Sequence, residues 1–307
     1  MDNLLITGYS GFVGSYLTKK LEGHYNLNLV GRKDSSIGRV FKQNIDADSQ
    51  YADALQGVSC VIHIAARVHV MNEKAAEPLE EFRAVNTLGT INLAKQAAKA
   101  GVNRFIFIST IKVNGESTTN SAAFTYEDEP LPEDPYGISK AEAEQQLLEL
   151  GHQTGMEIVI IRPPLVYGEG VKANFASLMK LVGKGIPLPF KLINKNKRSL
   201  VSVYNLVDLI QVCIGHPSAA NQVFLVSDDN DLSTADMIAF MAKAQNKNNF
   251  TLPIPVWCFR IAGQITGKQA MVDRLVGSLQ LDITHTKSTL NWAPPYTVEH
   301  GFKLAIK

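Results

Sequence analysis

The sequence predicts an α/β chain in which a doubly wound parallel sheet is followed by a smaller C-terminal α/β substrate domain. Three observations carry this. The glycine run Thr7-Gly8-Tyr9-Ser10-Gly11-Phe12-Val13-Gly14 separates an apolar, strand-like stretch from a helical one at the extreme N-terminus. Short apolar runs then alternate with helical stretches, the order that builds a parallel sheet covered on both faces. After Arg162-Pro163-Pro164 the pattern changes, and prolines and glycines punctuate shorter elements such as "GKGIPLPF".

In order along the chain, Asn3–Thr7 reads as the first strand, and Leu27–Val30, Cys60–Ile64, Phe105–Ser109 and Ile158–Ile161 as its successors. Helical stretches at Glu80–Ala100 and Tyr136–Leu150 separate them. Residues 1–163 are thus expected to form a dinucleotide-binding domain, and 164–198 with 229–307 the smaller substrate domain. The apolar run Ser199–Val203 and the helix-like segment Asn205–Gly215 are expected to return to the first sheet, so 199–228 is assigned to it. The apolar segment "IPVWCFRIAGQITG" has a helical period and reads as a packed helix of the small domain, with membrane contact as the alternative.

A chain of 307 residues, 45% of them hydrophobic, can bury a substantial core. Thirty Lys and Arg against 29 Asp and Glu leave a formal charge of +1. That balance offers no electrostatic reason to expect nucleic acid or an anionic membrane as partner. Cys60, Cys213 and Cys258 are far apart and follow no CxxC spacing, which argues against a disulfide framework or a zinc site. The start "MDNLLITG" lacks a basic n-region, and no stretch approaches the ~18–20 apolar residues that span a bilayer. The expectation is a cytoplasmic protein with no metal and no membrane insertion.

The glycines at positions 8, 11 and 14 point to a Rossmann-type cofactor turn. Glycine serves there because the turn is tight, the backbone must approach a pyrophosphate, and the following helix N-terminus must aim its amides at that anion. At the end of the second strand, beside the adenosine ribose, such folds often place a carboxylate. Here Gly31 is followed by Arg32 and Lys33. A guanidinium pairs with a 2′-phosphate through two parallel hydrogen bonds, so NADP is expected over NAD. The competing reading is a solvated loop pair, with NAD held by backbone contacts.

"YGISK" places Tyr136 and Lys140 four residues apart, on one face of a helix. A nearby cation would lower the phenol's pKa and let Tyr136 move a proton to or from a sugar hydroxyl or ketone. Lys140 could also hold the nicotinamide ribose. Ser109-Thr110 follows a predicted strand, where parallel sheets present ligands, and the Thr110 hydroxyl could bond the oxygen that Tyr136 protonates. In "HIAAR", Ala65 and Ala66 leave room for a cofactor, while His63 reads as a buried residue. Asn86 reads as a bridge beneath the nicotinamide, with helix surface as the alternative.

Together these motifs resemble the extended short-chain dehydrogenase/reductase family, in particular its nucleotide-sugar epimerase and reductase branch. The resemblance spans nearly the whole chain, from "TGYSGFVG" through "HIAA", "ST" and "YGISK" to "RPPLVYGEG" and "LNWAPP". It implies Thr110, Tyr136 and Lys140 as the catalytic triad and Gly8, Gly11 and Gly14 as the cofactor turn. Phe12, Val13, Arg32, Ile45, Ala65, Ala66, Asn86 and Pro163 join Tyr136 and Lys140 in its cofactor shell. It further implies a UDP-sugar substrate, with Arg67 and Thr110 at the sugar, Asn174 and Arg198 at the diphosphate, Pro189 of "PLPF" at the base and Arg274 as a second clamp. A homodimer follows from the same resemblance.

After Thr110, the family's 4,6-dehydratases carry an Asp-Glu pair and its 3,5-epimerase/reductases a cysteine; this chain has Ile111-Lys112. Hydride transfer at sugar C4 is what remains. Asn114 and Pro164 depart from the 4-epimerase pattern. The expectation is therefore a UDP-4-keto-6-deoxy-hexosamine 4-reductase of surface polysaccharide biosynthesis, with a UDP-glucose or UDP-N-acetylglucosamine 4-epimerase as the alternative. A non-catalytic NADP-binding redox sensor is the alternative from another class.

Overall fold

The computed structural model describes residues 1–68, 77–171 and 173–306, the side chains of residues 173 and 174 excepted. Seven parallel strands form the main sheet in the order β3-β2-β1-β4-β5-β6-β9. They are β1 (Asn3–Thr7), β2 (Asn26–Gly31), β3 (Arg39–Lys42), β4 (Val58–His63), β5 (Arg104–Ile108), β6 (Glu157–Arg162) and β9 (Gln222–Leu225). The order reverses between β1 and β4, and at such a switch point the strand ends diverge and leave a crevice for a ligand.

Helices α1 (Phe12–Leu21), α2 (Ala52–Leu55), α3 (Pro78–Phe82), α4 (Thr90–Lys99), α5 (Pro135–Thr154) and α7 (Val203–Gly215) flank that sheet, and α6 (Ala173–Gly183) follows β7 (Leu165–Tyr167). The remaining helices are α8 (Thr234–Ala244), α9 (Val256–Thr266), α10 (Gln269–Val276), α11 (Thr284–Leu290) and α12 (Val298–Leu304). Alternate residues of each central strand feed two apolar cores on opposite faces. Leu4, Ile6, Ile62, Ile106 and Val159 join α1 and α7 on one side. Leu5, Val61, Phe105, Phe107 and Ile158 join α4 and α5 on the other. Full burial on both faces explains why these strands read as unbroken apolar runs.

A third apolar cluster, around Tyr167, Phe175, Leu188, Met241 and Phe302, belongs to the later elements. The run Ser199–Val203 does not return to the main sheet as expected. Its central part, β8 (Leu200–Ser202), pairs in parallel with β7 as a separate two-stranded sheet. The strand that does close the main sheet is β9, paired with β6.

The expected helix over residues 80–100 is interrupted. Between α3 and α4 the turns over Arg83–Gly89 widen to π geometry. At its end Gly89 sits so close to the backbone of Ile45 and Asp46 that a Cβ would lie 2.9 Å from both. Such wide turns re-aim side chains where function needs them, and here the one that is re-aimed is Asn86.

The helix over "IPVWCFRIAGQITG" forms as α9 and packs through Val256 and Phe259 against the third apolar cluster, but its other face is open. Gly263 is its one buried residue, while Trp257 is 62% and Ile265 80% exposed. Among the described residues no helix is long and apolar enough to cross a membrane.

Candidate active site

The glycine turn lies at the switch point. Gly8 adopts φ +71°, and a Cβ there would stand 2.6 Å from the Ala65 amide nitrogen. At Gly14 a Cβ would come within 2.1 Å of the Gly8 carbonyl oxygen. The turn therefore closes only with hydrogen at both positions. Gly11 caps α1 without a side-chain hydrogen bond, which leaves amides of the first turn open to an anion. This cradle, which any side chain would fill, fits the pyrophosphate of a dinucleotide. Phe12, Val13, Ala65 and Ala66 are half-buried around it, as is Ile45 near Gly89. Arg32 and Lys33 are exposed just beyond β2, and the Tyr9 hydroxyl donates to the Lys33 carbonyl.

Below the crevice, His63 ties three elements together. The Thr7 hydroxyl accepts from the amides of Ile64 and Ala65, at 3.2 and 3.1 Å, and contacts His63 Nδ1 at 2.7 Å. Thr90 Oγ1 donates to the Asn86 carbonyl at 2.7 Å and meets His63 Nε2 at 2.9 Å. With the Thr90 proton committed, Nε2 donates and Nδ1 accepts, so the imidazole is neutral. Burial supports this state by pulling its pKa down to about 3. His63 is the buried residue the sequence suggested.

Asn86 is fully buried and bridges as expected. Its Oδ1 accepts from the Arg67 amide at 2.8 Å, and its amide donates to the Arg67 carbonyl and to Ser139 Oγ, both at 3.0 Å. Ser139 in turn donates to the Tyr136 carbonyl at 2.8 Å. The strap after β4 is thereby fastened to the helix that bears the Tyr-Lys pair. The Arg67 guanidinium lies over the Phe82 ring at 5.7 Å, and that ring is edge-on to Tyr136 at 6.1 Å.

Helix α5 starts at Pro135, with Asp134 as N-cap accepting from the Gly137 amide at 2.7 Å. This sets Tyr136 in the first turn and Lys140 one turn deeper. Lys140 is wholly buried, donates to the Ile108 carbonyl at 2.8 Å and lies 4.2 Å over the Phe107 ring. The expected effect of Lys140 on Tyr136 is not present in this structure. Burial first, and then the Asp134 carboxylate, push the Tyr136 phenol above its ordinary value, while Lys140 is itself pulled down to about 7 by burial.

Thr110 caps the short turn after β5, with its hydroxyl 3.3 Å from the Lys112 amide. Pro163 is buried beside it, its carbonyl accepting from the Ile111 amide at 2.9 Å. Lys112, where dehydratases of the resembled branch carry an acid, is paired with Glu116 at 2.7 Å and with Asp134.

Two residues that the sequence did not single out hold this corner. Glu144, one turn beyond Lys140, accepts from Ser109 Oγ, and from Nε and Nη2 of Arg162 at 2.6–3.1 Å. Arg162 also donates to Asn114 at 3.0 Å, and Asn114 to the Thr125 carbonyl at 2.9 Å. The i, i+4 spacing from Lys140 to Glu144 was the available signal.

In the later part of the chain, Arg198 and Arg274 come together. Arg198 donates to the carbonyls of Arg274 and Gly277 at 3.0 and 3.4 Å. Burial and the neighbouring Arg274 charge both lower its pKa. Arg274 lies 3.8 Å from Glu116. Two adjacent guanidiniums make a place for a polyanion. Pro189 is half-buried next to Leu188, whose amide bonds the Phe250 carbonyl at 2.8 Å. Asn174 is the second residue of α6, and its side chain lies outside the described residues.

A doubly wound parallel sheet, with a glycine cradle at its switch point and a hydroxyl, phenol and ammonium set at the strand ends, defines a dinucleotide-binding enzyme. Residues 4–227 match the NAD-dependent epimerase/dehydratase family, and the chain belongs to that family; it is an enzyme of the extended short-chain dehydrogenase/reductase type. It is 55% identical over 306 residues to a UDP-glucose 4-epimerase of Vibrio cholerae, a match spanning 98% of this chain and 93% of that one. It is 30% identical to an N-acetyl-alpha-D-glucosaminyl-diphospho-ditrans,octacis-undecaprenol 4-epimerase of Escherichia coli O157:H7, spanning 100% and 95%. The fold is shared with the UDP-N-acetylglucosamine 4-epimerase from Bacillus cereus, with a TM-score of 0.81, 18% identity and 100% and 97% of the chains covered. It is likewise shared with a UDP-glucose 4-epimerase from Thermotoga maritima solved with UDP-glucose, with a TM-score of 0.78, 23% identity and coverage of 99% and 97%.

Proposed function

We propose that the protein is a UDP-hexose 4-epimerase that keeps its dinucleotide bound. The observation that carries this is the 55% identity over 98% of the chain with a UDP-glucose 4-epimerase, which favours epimerisation over the 4-ketoreductase expected from the sequence. The departure at Asn114 loses its weight as a sign of a reductase, because Asn114 has a structural partner in Arg162. Ile111 and Lys112 supply neither a dehydratase acid-base pair nor a cysteine, and Lys112 is engaged by two carboxylates.

In this reading Tyr136 takes the proton of the C4 hydroxyl while Thr110 holds that oxygen. The sugar ketone turns over to present its opposite face, and Tyr136 returns the proton to the C4 oxygen. A bound nicotinamide would supply a hydride acceptor and donor, and its positive charge when oxidised would favour the phenolate that burial disfavours. Lys140 holds the ribose, and Arg198, Arg274 and Asn174 hold the diphosphate, with Pro189 at the base. Residues 1–163 with 203–228 would carry the dinucleotide, and 164–198 with 229–307 the nucleotide sugar, in a homodimer. A cofactor returned to its starting state at each turnover removes the need for a reducing NADPH pool, so NAD is proposed as resident. Arg32 remains the residue through which NADP would be accepted.

The test is a paired assay. Interconversion of UDP-glucose and UDP-galactose without added reductant supports epimerisation. NADPH oxidation coupled to a UDP-4-keto-6-deoxy sugar, without such interconversion, overturns it. Tyr136→Phe should lose about 10²-fold or more in turnover, whereas a redox sensor would bind its dinucleotide and show no turnover to lose.

A further inference from the structure

The near-neutral total charge hides a sharp segregation. Between residues 171 and 198 and between 241 and 272 the chain has eleven Lys and Arg and not one Asp or Glu. The rest of the chain is therefore net acidic. The same lobe also collects the exposed apolar surface: of fourteen large hydrophobic residues exposed among the described residues, eight lie between Ile186 and Met271.

Three of these residues form a row. On α9, Trp257, Ile261 and Ile265 fall at i, i+4 and i+8 and so share one face, and all three are exposed. The helix is anchored from behind, where Phe259 stacks on Phe190 at 5.9 Å. Phe190 in turn closes the segment whose Leu188 exchanges backbone hydrogen bonds with Phe250 and Leu252, at 2.8 and 2.7 Å. Arg260 and Lys268 flank the stripe, and Lys184 and Lys191 bracket the paired segment, all exposed. An exposed row of tryptophan and aliphatic side chains edged by cations matches a surface that inserts shallowly into a headgroup layer.

We propose that this α9 face docks the enzyme onto an anionic lipid bilayer. Charge selects that occupant over the others. A second copy seated isologously on the same face would bring the two basic lobes against each other, at a cost in like-charge repulsion. Nucleic acid would satisfy the cations but leave Ile261 and Ile265 without a partner. The Glu299 carboxylate neutralises Lys243 and Lys303 at 3.1 and 3.0 Å but is not paired with the cations that flank the stripe. The proposal is independent of which sugar the active site turns over.

The test uses the full chain with vesicles of mixed phosphatidylglycerol and phosphatidylcholine, and of phosphatidylcholine alone. The chain has two tryptophans, and Trp292 is buried and donates to Asp208 at 2.9 Å. A blue shift of fluorescence on binding therefore reports Trp257. The expected result is co-flotation and a blue shift with the anionic vesicles, weakened by salt and absent with the neutral ones. Charge reversal by Lys184→Glu with Arg260→Glu should weaken binding by roughly tenfold or more. The triple variant Trp257→Ser, Ile261→Ser, Ile265→Ser should lose flotation and keep its melting temperature, because the replaced side chains are exposed. No flotation of the wild type, or equal flotation of the triple variant, overturns the proposal. So does a lipid-free triple variant that sediments as a smaller species, which would identify the face as a contact between copies.

Discussion

The ammonium of Lys140 and the carbonyl oxygen of Ile108 stand 2.8 Å apart, inside the protein and out of reach of water. That bond joins α5 to the end of β5, just before the Ser109-Thr110 pair. It also sets the charge state of the site, since a lysine held there with its pKa near 7 is divided between ammonium and amine at neutral pH. Glu144, one turn further along α5, favours the ammonium.

Stability should therefore rise with pH above neutrality. The folded-state pKa of Lys140 is about 7 against an ordinary value of 10.5. Below the lower value both states hold the proton, and the fold bears the full cost of a buried charge. Between the two values the unfolded chain keeps a proton that the native state has shed, so raising the pH stabilises the fold. Melting temperatures of the wild type and Lys140→Met, followed from neutral to alkaline pH, should show the wild type gaining on the variant. A constant difference would mean that Lys140 titrates normally.

Gly14→Ala should disable the cofactor turn. Its Cβ would stand 2.1 Å from the Gly8 carbonyl oxygen, and backbone cannot yield as a side-chain tip does. Overpacking of this kind costs about 1–3 kcal/mol, and displacement of the turn should weaken NAD binding by at least roughly tenfold. Gly215→Ala is the control, since nothing lies within 4 Å of a Cβ there. Calorimetric titration of both variants with NAD provides the comparison, and equal affinities would show that the turn tolerates a side chain.

The parts of this fold that were legible were those whose signal is local. The strands β1, β2, β4, β5 and β6 are buried on both faces and announce themselves as apolar runs. The edge strand β3 reads "RVFK" and β9 reads "QVFL", too short and too mixed to stand out from loops. The π turns at Arg83–Gly89 end where Gly89 meets Ile45 and Asp46, a contact no local pattern encodes. At the site, the glycines, Tyr136 and Lys140 were visible through spacing. Thr7, Glu144 and Arg162 were not, because each acts through a partner distant in sequence: Thr7 through His63, and Glu144 through Ser109 and Arg162. The apolar stripe on α9 was visible as a period, but which side it faces depends on tertiary packing.

His63 should make the fold acid-sensitive. Its folded pKa is about 3 against an ordinary 6.5, so as the pH falls below 6.5 the unfolded chain takes up a proton that the native state refuses, and stability is lost across that interval. His63→Gln keeps a donor and an acceptor near Thr7 and Thr90 but cannot titrate. It should cost about 1–3 kcal/mol at neutral pH and flatten the acid limb of a denaturant-midpoint profile. A limb as steep as that of the wild type would assign the acid sensitivity to other groups.

Arg198 offers a way to separate substrate binding from structural support. A half-buried guanidinium beside the Arg274 charge, bonded among the described residues to the neutral carbonyls of Arg274 and Gly277, is held at a cost that an incoming diphosphate would offset. Arg198→Met removes a desolvated charge and a like-charge contact along with two hydrogen bonds. The free enzyme's melting temperature should therefore be no lower than that of the wild type. UDP, which carries the diphosphate without the sugar, should raise the wild-type melting temperature by mass action and leave that of the variant nearly unmoved. KM for the UDP-sugar should rise by roughly 10- to 100-fold with little change in kcat, the pattern of an interaction equally strong in ground and transition states. A variant that melts earlier yet responds to UDP as the wild type does would make Arg198 a brace between residues 198 and 277 and remove it from the substrate clamp.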